Sequence, residues 1–407
     1  MAKQTVHTQV YTTTQQPFVR TQFTWLAYAM LGYFTYLQEA VLGPLMPFLR
    51  AQLHLSYSIG GLHVSAFALG MILAGSFGDG IAQRVGRRAA FWLGGIGMAV
   101  GTICLTLSIT VVLTIASTFV MGVFGSLLLV MIQATLADTY QEQRAIALTE
   151  ANVVASIGAG LAPACIGLFE SVALGWRGAL YSIVGAFLLL AFLCRHIPLP
   201  QGQHELRATP SENEGGRRAR LPLAFWTYWI ALICCVAIEW CIAVWSTDFL
   251  HSSVGLSSRN ATFTLTIFFI AEVISRFIGS RLTRTMHGST LLLIALGITC
   301  IGFPLYWLSP SGPFIAFNIL GLFITGLGVA NLFPFALSVA IGTAPLQADV
   351  ASARVSLGGG IAIFLAPFAL GWAADNFGIQ RAFTIVLLLL LMAVGATLFA
   401  NRLARRL

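Results

Sequence analysis

The sequence predicts an all-α integral membrane protein with twelve transmembrane helices in two pseudo-symmetric six-helix bundles. Three observations lead there: composition, the recurrence of long apolar runs, and an internal repeat. Of 407 residues, 57% are hydrophobic and only 9% charged, and the mean hydropathy is +0.85. That is more apolar surface than a soluble core can hide from water.

Windows of about twenty residues, the length that crosses roughly 30 Å of hydrocarbon, select apolar segments at 23–49, 57–82, 89–108, 111–137, 144–170 and 176–196. A polar stretch from Pro200 to Arg220 follows, and six more segments come after it, at 222–250, 259–283, 289–308, 312–341, 350–374 and 381–401. Each is read as a helix, because lipid offers the backbone no hydrogen-bond partner and the weak alternation of a barrel strand is absent. The chain thus divides into an N-terminal tail (1–22), a first bundle (23–197), a linker (198–221), a second bundle (222–403) and a short C-terminal tail (404–407).

An even number of spans puts both ends on one side. Seventeen of the 22 basic residues fall there, from Lys3 through the linker arginines to Arg406. The opposite loops hold Arg50, Arg177, Arg259 and Arg381, and Arg276 lies inside a span. By the positive-inside rule both termini face the cytoplasm, in a plasma (inner) membrane. The net charge of +8 is then a matter of orientation, and no nucleic-acid partner is needed. The first 22 residues are polar and lack the features of a cleaved secretory signal. The seven cysteines sit in or beside apolar runs with no metal-ligand or disulfide spacing. No metal or cofactor is expected, and the chain is expected to work as a monomer among lipids.

The halves repeat in order. Phe48-Leu49 followed by Leu55-Ser56 matches Phe249-Leu250 followed by Leu256-Ser257 at an offset of 201, which also aligns Phe67 with Phe268 and Gly78 with Gly279. Ser156 to Gly160 resembles Ser356 to Gly360, and Pro163, Gly167 and Arg177 pair with Pro367, Gly371 and Arg381. A collinear series of this kind indicates two related halves.

Six plus six helices, a polar central link and a basic loop after the second helix resemble the major facilitator superfamily of transporters over nearly the whole chain. The local marker is Gly78-Asp79-Gly80-Ile81-Ala82-Gln83-Arg84-Val85-Gly86-Arg87-Arg88, similar to that family's cytoplasmic Gly-x-x-x-Asp-x-x-Gly-Arg-Arg motif. The ending fits. At the beginning, the acidic position falls on Gln83 and Asp79 takes the place of the glycine. The resemblance implies a cytoplasmic gate at Asp79, Arg84, Gly86, Arg87 and Arg88. The same spacing recurs at Gly371, Asp375 and Gly378, which adds Asp375 to that gate. Arginines at this position also have a plainer reading, as anchors to carboxylates, helix ends or lipid phosphates. In the fifth span, Gly158 to Gly167 is loosely similar to the Gly/Pro motif of proton-coupled exporters. In the tenth, Gly326 to Pro334 reads as a close-packed, broken helix serving as a hinge or gate.

An ionised group at the bilayer centre costs at least about 2.5 kcal/mol, so each one kept there is a site candidate. Four stand out: Glu39, Glu239, Glu272 and Arg276. Glu39, beside Gln38, and Glu239 lie at nearly equal depths in the first and seventh spans, which in the resembled family face each other across a central cavity. A carboxyl in a dry cavity favours its neutral form and can load and release a proton as the cavity alternates. Glu39 and Glu239 are therefore the proton-coupling candidates, against a structural reading as hydrogen-bonded helix ties. Glu272 and Arg276, four apart, share a helix face and pair. Arg276 is the anchor for an anionic substrate, since its fork matches a carboxylate, as in the monocarboxylate carriers that this spacing resembles. Three acids around one base suit a cation or neutral polar substrate equally well. Trp240 and Trp245 offer an aromatic wall, although Trp245 also suits the interfacial belt. His63, Gln133 and Asn331 are further candidate lining residues that would otherwise tie helices together.

The expectation is a secondary active transporter of a small organic solute, an organic acid or sugar, probed against proton-driven efflux of lipophilic or cationic compounds. No phosphate-binding loop occurs, and the chain has one lysine, Lys3, so ATP bound to this chain does not drive it. A membrane enzyme or receptor finds no support in any His cluster, paired-acid loop or sensor domain.

Overall fold

A computed structural model describes residues 18–172, 174–200, 221–308 and 315–404; the side chains at 76–79, 82–83, 142, 346 and 348–349 are outside that description. Most of the two tails and of the linker expected at 198–221 lies outside the described residues. Within them all the regular structure is helical.

The first half begins with α1 (Gln22–Leu42). Its start is set by a capping box in which Thr21 and Thr24 each bond the other's backbone N–H, both at 3.2 Å. The span expected over 23–49 is in fact interrupted. Gly43-Pro44 ends α1, and a short helix α2 (Met46–Leu53) closes at His54, whose φ of 51° is left-handed. Pro44 has no N–H to continue the ladder, which is why the apolar run does not stay one helix. The other five spans are α3 (Tyr57–Val85), α4 (Arg87–Leu107), α5 (Val111–Tyr140), α6 (Arg144–Ser171) and α7 (Gly175–Cys194).

The second half comprises α8 (Leu223–Ser252), α9 (Ser258–Leu282), α10 (Gly288–Leu308), a broken span of α11 (Ile315–Val329) and α12 (Leu332–Gly342), α13 (Ala348–Phe377), and a final span of α14 (Ile379–Ala382) and α15 (Thr384–Ala404). The break expected in 326–334 falls at Ala330-Asn331.

Eleven helical stretches among the described residues are long and apolar enough to cross a membrane. The twelfth, α1, has 21 residues but less hydropathy, because it carries Thr24, Thr35, three tyrosines, Gln38 and Glu39, many of them turned inward. Tyr33 donates to the Gly95 carbonyl at 3.2 Å and Tyr36 to that of Ala179 at 3.3 Å. A polar face is tolerable in a span when other helices, rather than lipid, cover it.

Within each half, small residues let backbones touch. A side chain on Gly101 would strike Met121 of α5, and one on Gly302, 201 positions later, would strike the backbone of α11 at Ile324-Thr325. Between halves, α3 packs on α13, α6 on α9, and α2 on α8. On the terminus side, Arg20 ties the chain's entry to α6 through Glu150 at 2.8 Å, a bond that holds the Arg20 guanidinium above its ordinary pKa.

Candidate functional site

A cavity of about 670 Å³ lies between the halves, lined by α1, α6, α8, α9 and the α11–α12 break. Its lining reaches Thr149 near the start of α6 and Ser280, Thr283, Met286 and Gly288 around the turn from α9 to α10. These lie at the terminus-side ends of their helices, so the cavity opens towards the termini.

The opposite side is closed by contacts between the halves. Asp248, buried to 1% exposure, pairs with Arg50, whose guanidinium carbon stands 3.4 Å from the Tyr57 ring centroid. Gly43 abuts the Ala243 carbonyl so closely that any side chain there would clash. Ser65 donates to the Phe364 carbonyl at 2.6 Å. Asp248 escaped the sequence reading, although the signal was present: an acid inside the apolar run 222–250, with Arg50 just past the matching first run.

Two of the proposed acids, Glu239 and Glu272, meet at the Arg276 guanidinium. Arg276 Nη2 is 3.3 Å from Glu272 and 3.6 Å from Glu239, while Nη1 donates to Ser156 Oγ at 2.7 Å. The i, i+4 spacing on α9 brings Glu272 to it, α8 supplies Glu239, and Ser156 reaches it from the other half. Glu272 is only 4% exposed; its charge is tolerable there because Arg276 compensates it. Glu39 and Gln38 line the same cavity from α1, with Gln38 Nε2 at 3.4 Å from Glu39. Trp240, Phe269, Phe333 and Phe335 supply aromatic lining, and Thr35 and Asn152 further polar groups. Asn331 also lines it, but its amide is committed to Ser275, donating to the carbonyl at 2.8 Å and to Oγ at 2.9 Å. This ties the break between α11 and α12 to α9. Ser156, Thr35 and Phe269 gave no separate signal as site residues in the sequence, where each is ordinary for a membrane helix.

Three expected lining residues lie elsewhere. Trp245 is fully buried and donates to the Pro367 carbonyl at 2.9 Å, so it joins α8 to α13 and belongs neither to the cavity nor to an interfacial belt. His63 is buried between the Ile59 carbonyl oxygen, 2.8 Å from Nδ1, and Thr114 Oγ, 2.9 Å from Nε2. It ties α3 to α5, the bland outcome for a lone polar residue in a span. Gln133 is exposed on α5, outside the cavity lining.

The expected cytoplasmic gate divides. Arg87 pairs with Asp138 at 2.6 Å and Arg88 donates to the Arg195 carbonyl, so both hold α4 to other helices of the first half. Arg84 is exposed at the end of α3 and Gly86 makes the turn into α4 with φ +83°. The Asp79 side chain lies outside the described residues. Asp375 is not on the terminus side at all. It sits at the far end of α13 and accepts from the Tyr57 and Ser58 N–H groups, each at 2.7 Å, and from Ser58 Oγ. The eleventh span runs away from the termini, so a motif at its end necessarily lies on the opposite face. Among the described residues there is no group of three or more His, Cys, Asp or Glu that could hold a metal ion.

Comparison with known proteins agrees with this architecture. An uncharacterized MFS-type transporter of Yersinia pestis is 25% identical over 97% of this chain and 100% of its own length. Among solved structures, a bacterial homolog of the human lysosomal transporter Spinster, in an inward-facing and occupied conformation, superposes with a TM-score of 0.72 at 15% identity, covering 95% of this chain and 98% of that one. A D-xylose–proton symporter gives 0.71 at 15% identity, over 93% and 97% of the two chains. At such identities the solved structures speak for the fold alone. The sequence profile of the Major Facilitator Superfamily matches residues 25–348, and the chain therefore belongs to that superfamily of membrane transporters, which are not enzymes.

Proposed function

We propose that this transporter carries a small organic solute by alternating access, coupled to protons through Glu239 and Glu39, with Arg276 as the substrate anchor. The observation that carries the reading is the sharing of Arg276, the one basic residue among the described residues lining the cavity, between Glu239 and Glu272. Two acids hold one base, and Glu239 is the more exposed and more distant of them, at 22% against 5% side-chain exposure. A proton arriving on Glu239 removes its claim on the guanidinium. An organic acid can then present its carboxylate to Arg276 in the vacated position, bidentately, so that anion binding requires the proton. A sugar would use the same freed donors together with Gln38 and Asn152.

A second reading has its own support. With every acid ionised, Glu39, Glu239 and Glu272 exceed Arg276 by two negative charges, and closing a dry cavity over an uncompensated charge is costly. Protons or an organic cation against Trp240 relieve that cost equally, which is the logic of proton-driven efflux of cationic compounds. In either case we take the termini to be cytoplasmic, in a plasma (inner) membrane, as the seventeen-to-four distribution of basic residues indicates. The cavity then faces the cytoplasm.

The test is solute-gradient-driven proton flux in liposomes, with carboxylates, sugars and organic cations offered in turn. Flux with a carboxylate or sugar moving with the proton supports the first reading, and flux with a cation moving against it supports the second. Wild-type protein that gives no proton flux with any class, or unchanged flux in both Glu39→Gln and Glu239→Gln, would overturn proton coupling through these acids.

A further inference from the structure

The Gly-x-x-x-Asp-x-x-Gly spacing at 371–378 has no part in the cavity, yet it is built into the contact between the halves. Gly86 and Gly378 have nearly the same backbone conformation, φ/ψ of 83°/151° and 81°/151°, and each is the residue that joins a long span to the next helix. One joint follows the second span and the other the eleventh. The repeat of the two halves, combined with the inverted three-helix repeats nested in each, relates these two spans with opposite sense across the membrane. The two joints therefore lie on opposite faces.

At the second joint the acid is engaged. Asp375 accepts the first two N–H groups of α3 and the Ser58 hydroxyl, which caps the N-terminus of a 29-residue helix from the other half of the molecule. The unsatisfied N–H groups and positive dipole end of that helix favour a carboxylate there. Behind the cap the helices touch through glycine: a side chain at Gly371 would strike the Tyr57 carbonyl, and one at Gly61 the backbone at Pro367-Phe368.

We propose that Asp375 is a latch on the face opposite the termini, holding the transporter in the conformation that opens to the terminus side, and that it must leave the α3 N-terminus for the cavity to open the other way. The proposal rests on the two halves moving, as in the transport reading, but is independent of substrate and of proton coupling. The carboxylate is solvent-exposed, so the latch is a modest bias that salt weakens.

Hydrogen exchange on the full chain in lipid nanodiscs tests this without any substrate. In Asp375→Ala, exchange over 56–62 and 371–377 is expected to accelerate roughly fivefold, the scale of a lost helix cap. At the same time 144–152 and 280–288, at the mouth of the cavity, should become slower as the population moves towards closure there. Ser58→Ala, which removes one of the three bonds, should move both regions the same way by less. Acceleration confined to 56–62 with an unchanged mouth would mean an ordinary cap and would overturn the proposal, as would no change at either face. Neither outcome would bear on proton flux.

Discussion

Replacing Asp248 by alanine should open the face of the transporter away from its termini. Asp248 is 1% exposed and its partner Arg50 has 15% of its side chain exposed, so removing the acid strands a guanidinium in a dry contact. Breaking a buried pair in this way costs about 3–5 kcal/mol. The lower end applies here, because the pair is one-sided and Arg50 is not left bare. Asp248 Oδ2 has no hydrogen-bond partner among the described residues, while Arg50 keeps the Tyr57 ring and the Leu55 carbonyl at 3.3 Å. A loss of about 3 kcal/mol is a shift of roughly a hundredfold in the ratio of closed to open forms, enough to bring a 99:1 population to near parity. Spin labels at Ala51 and Arg259, both exposed and on different halves, would report it as a longer distance component. The double variant Arg50→Met, Asp248→Leu should restore closure, since an apolar pair fills the same contact without a stranded charge. A wild-type distance distribution in Asp248→Ala, or a double variant as open as the single one, would refute the reasoning.

Three further outcomes follow from the same contacts. A carboxylate ligand that stabilises the wild type, by about 2.7 kcal/mol at a hundred times its Kd, should give no thermal shift in Arg276→Ala; an undiminished shift there would remove Arg276 as anchor. Asn331→Ala loses the amide's two bonds to Ser275 and should lower stability by about 1–2 kcal/mol, read as a lower thermal midpoint; an unchanged midpoint would mean the α11–α12 break needs no such tie. Gly122→Leu forces a side chain onto the Phe67 backbone, whereas Gly395→Ala enters open space. The first should cost at least about 1–3 kcal/mol and the second less than about 0.5, and equal midpoints would contradict the packing described between α3 and α5.

The sequence made the fold legible because lipid imposes so simple a rule: every span must be a long apolar helix. It failed where the rule is relaxed by cover from other helices. Gly43-Pro44 breaks the first apolar run without making it less apolar, and α1 hides its polar residues inside the protein. The charges of the cavity were readable, since an acid or arginine in a span is rare and conspicuous, and Glu39, Glu239, Glu272 and Arg276 do line one space. Neutral residues were not. His63, Gln133 and Asn331 look alike in sequence, and only packing separates a tie such as His63–Thr114 from a lining group. Asp375 was misplaced because a spacing carries no direction; counting spans to the eleventh gives the face. Asp248, an acid inside the apolar run 222–250, was as conspicuous as the others but was passed over; only its partner was hidden, since the pairing with Arg50 crosses 198 positions and no local pattern announces a contact of that range.

The claim on which the account turns is that Glu239 carries the coupled proton while Arg276 holds the solute. It is tested most directly by comparing solute exchange at equal concentrations with accumulation driven by a pH gradient, in liposomes holding wild type or Glu239→Gln. A glutamine mimics the protonated acid and cannot release its proton. Exchange should therefore continue while gradient-driven accumulation is lost. Accumulation at the wild-type level in Glu239→Gln would contradict the account.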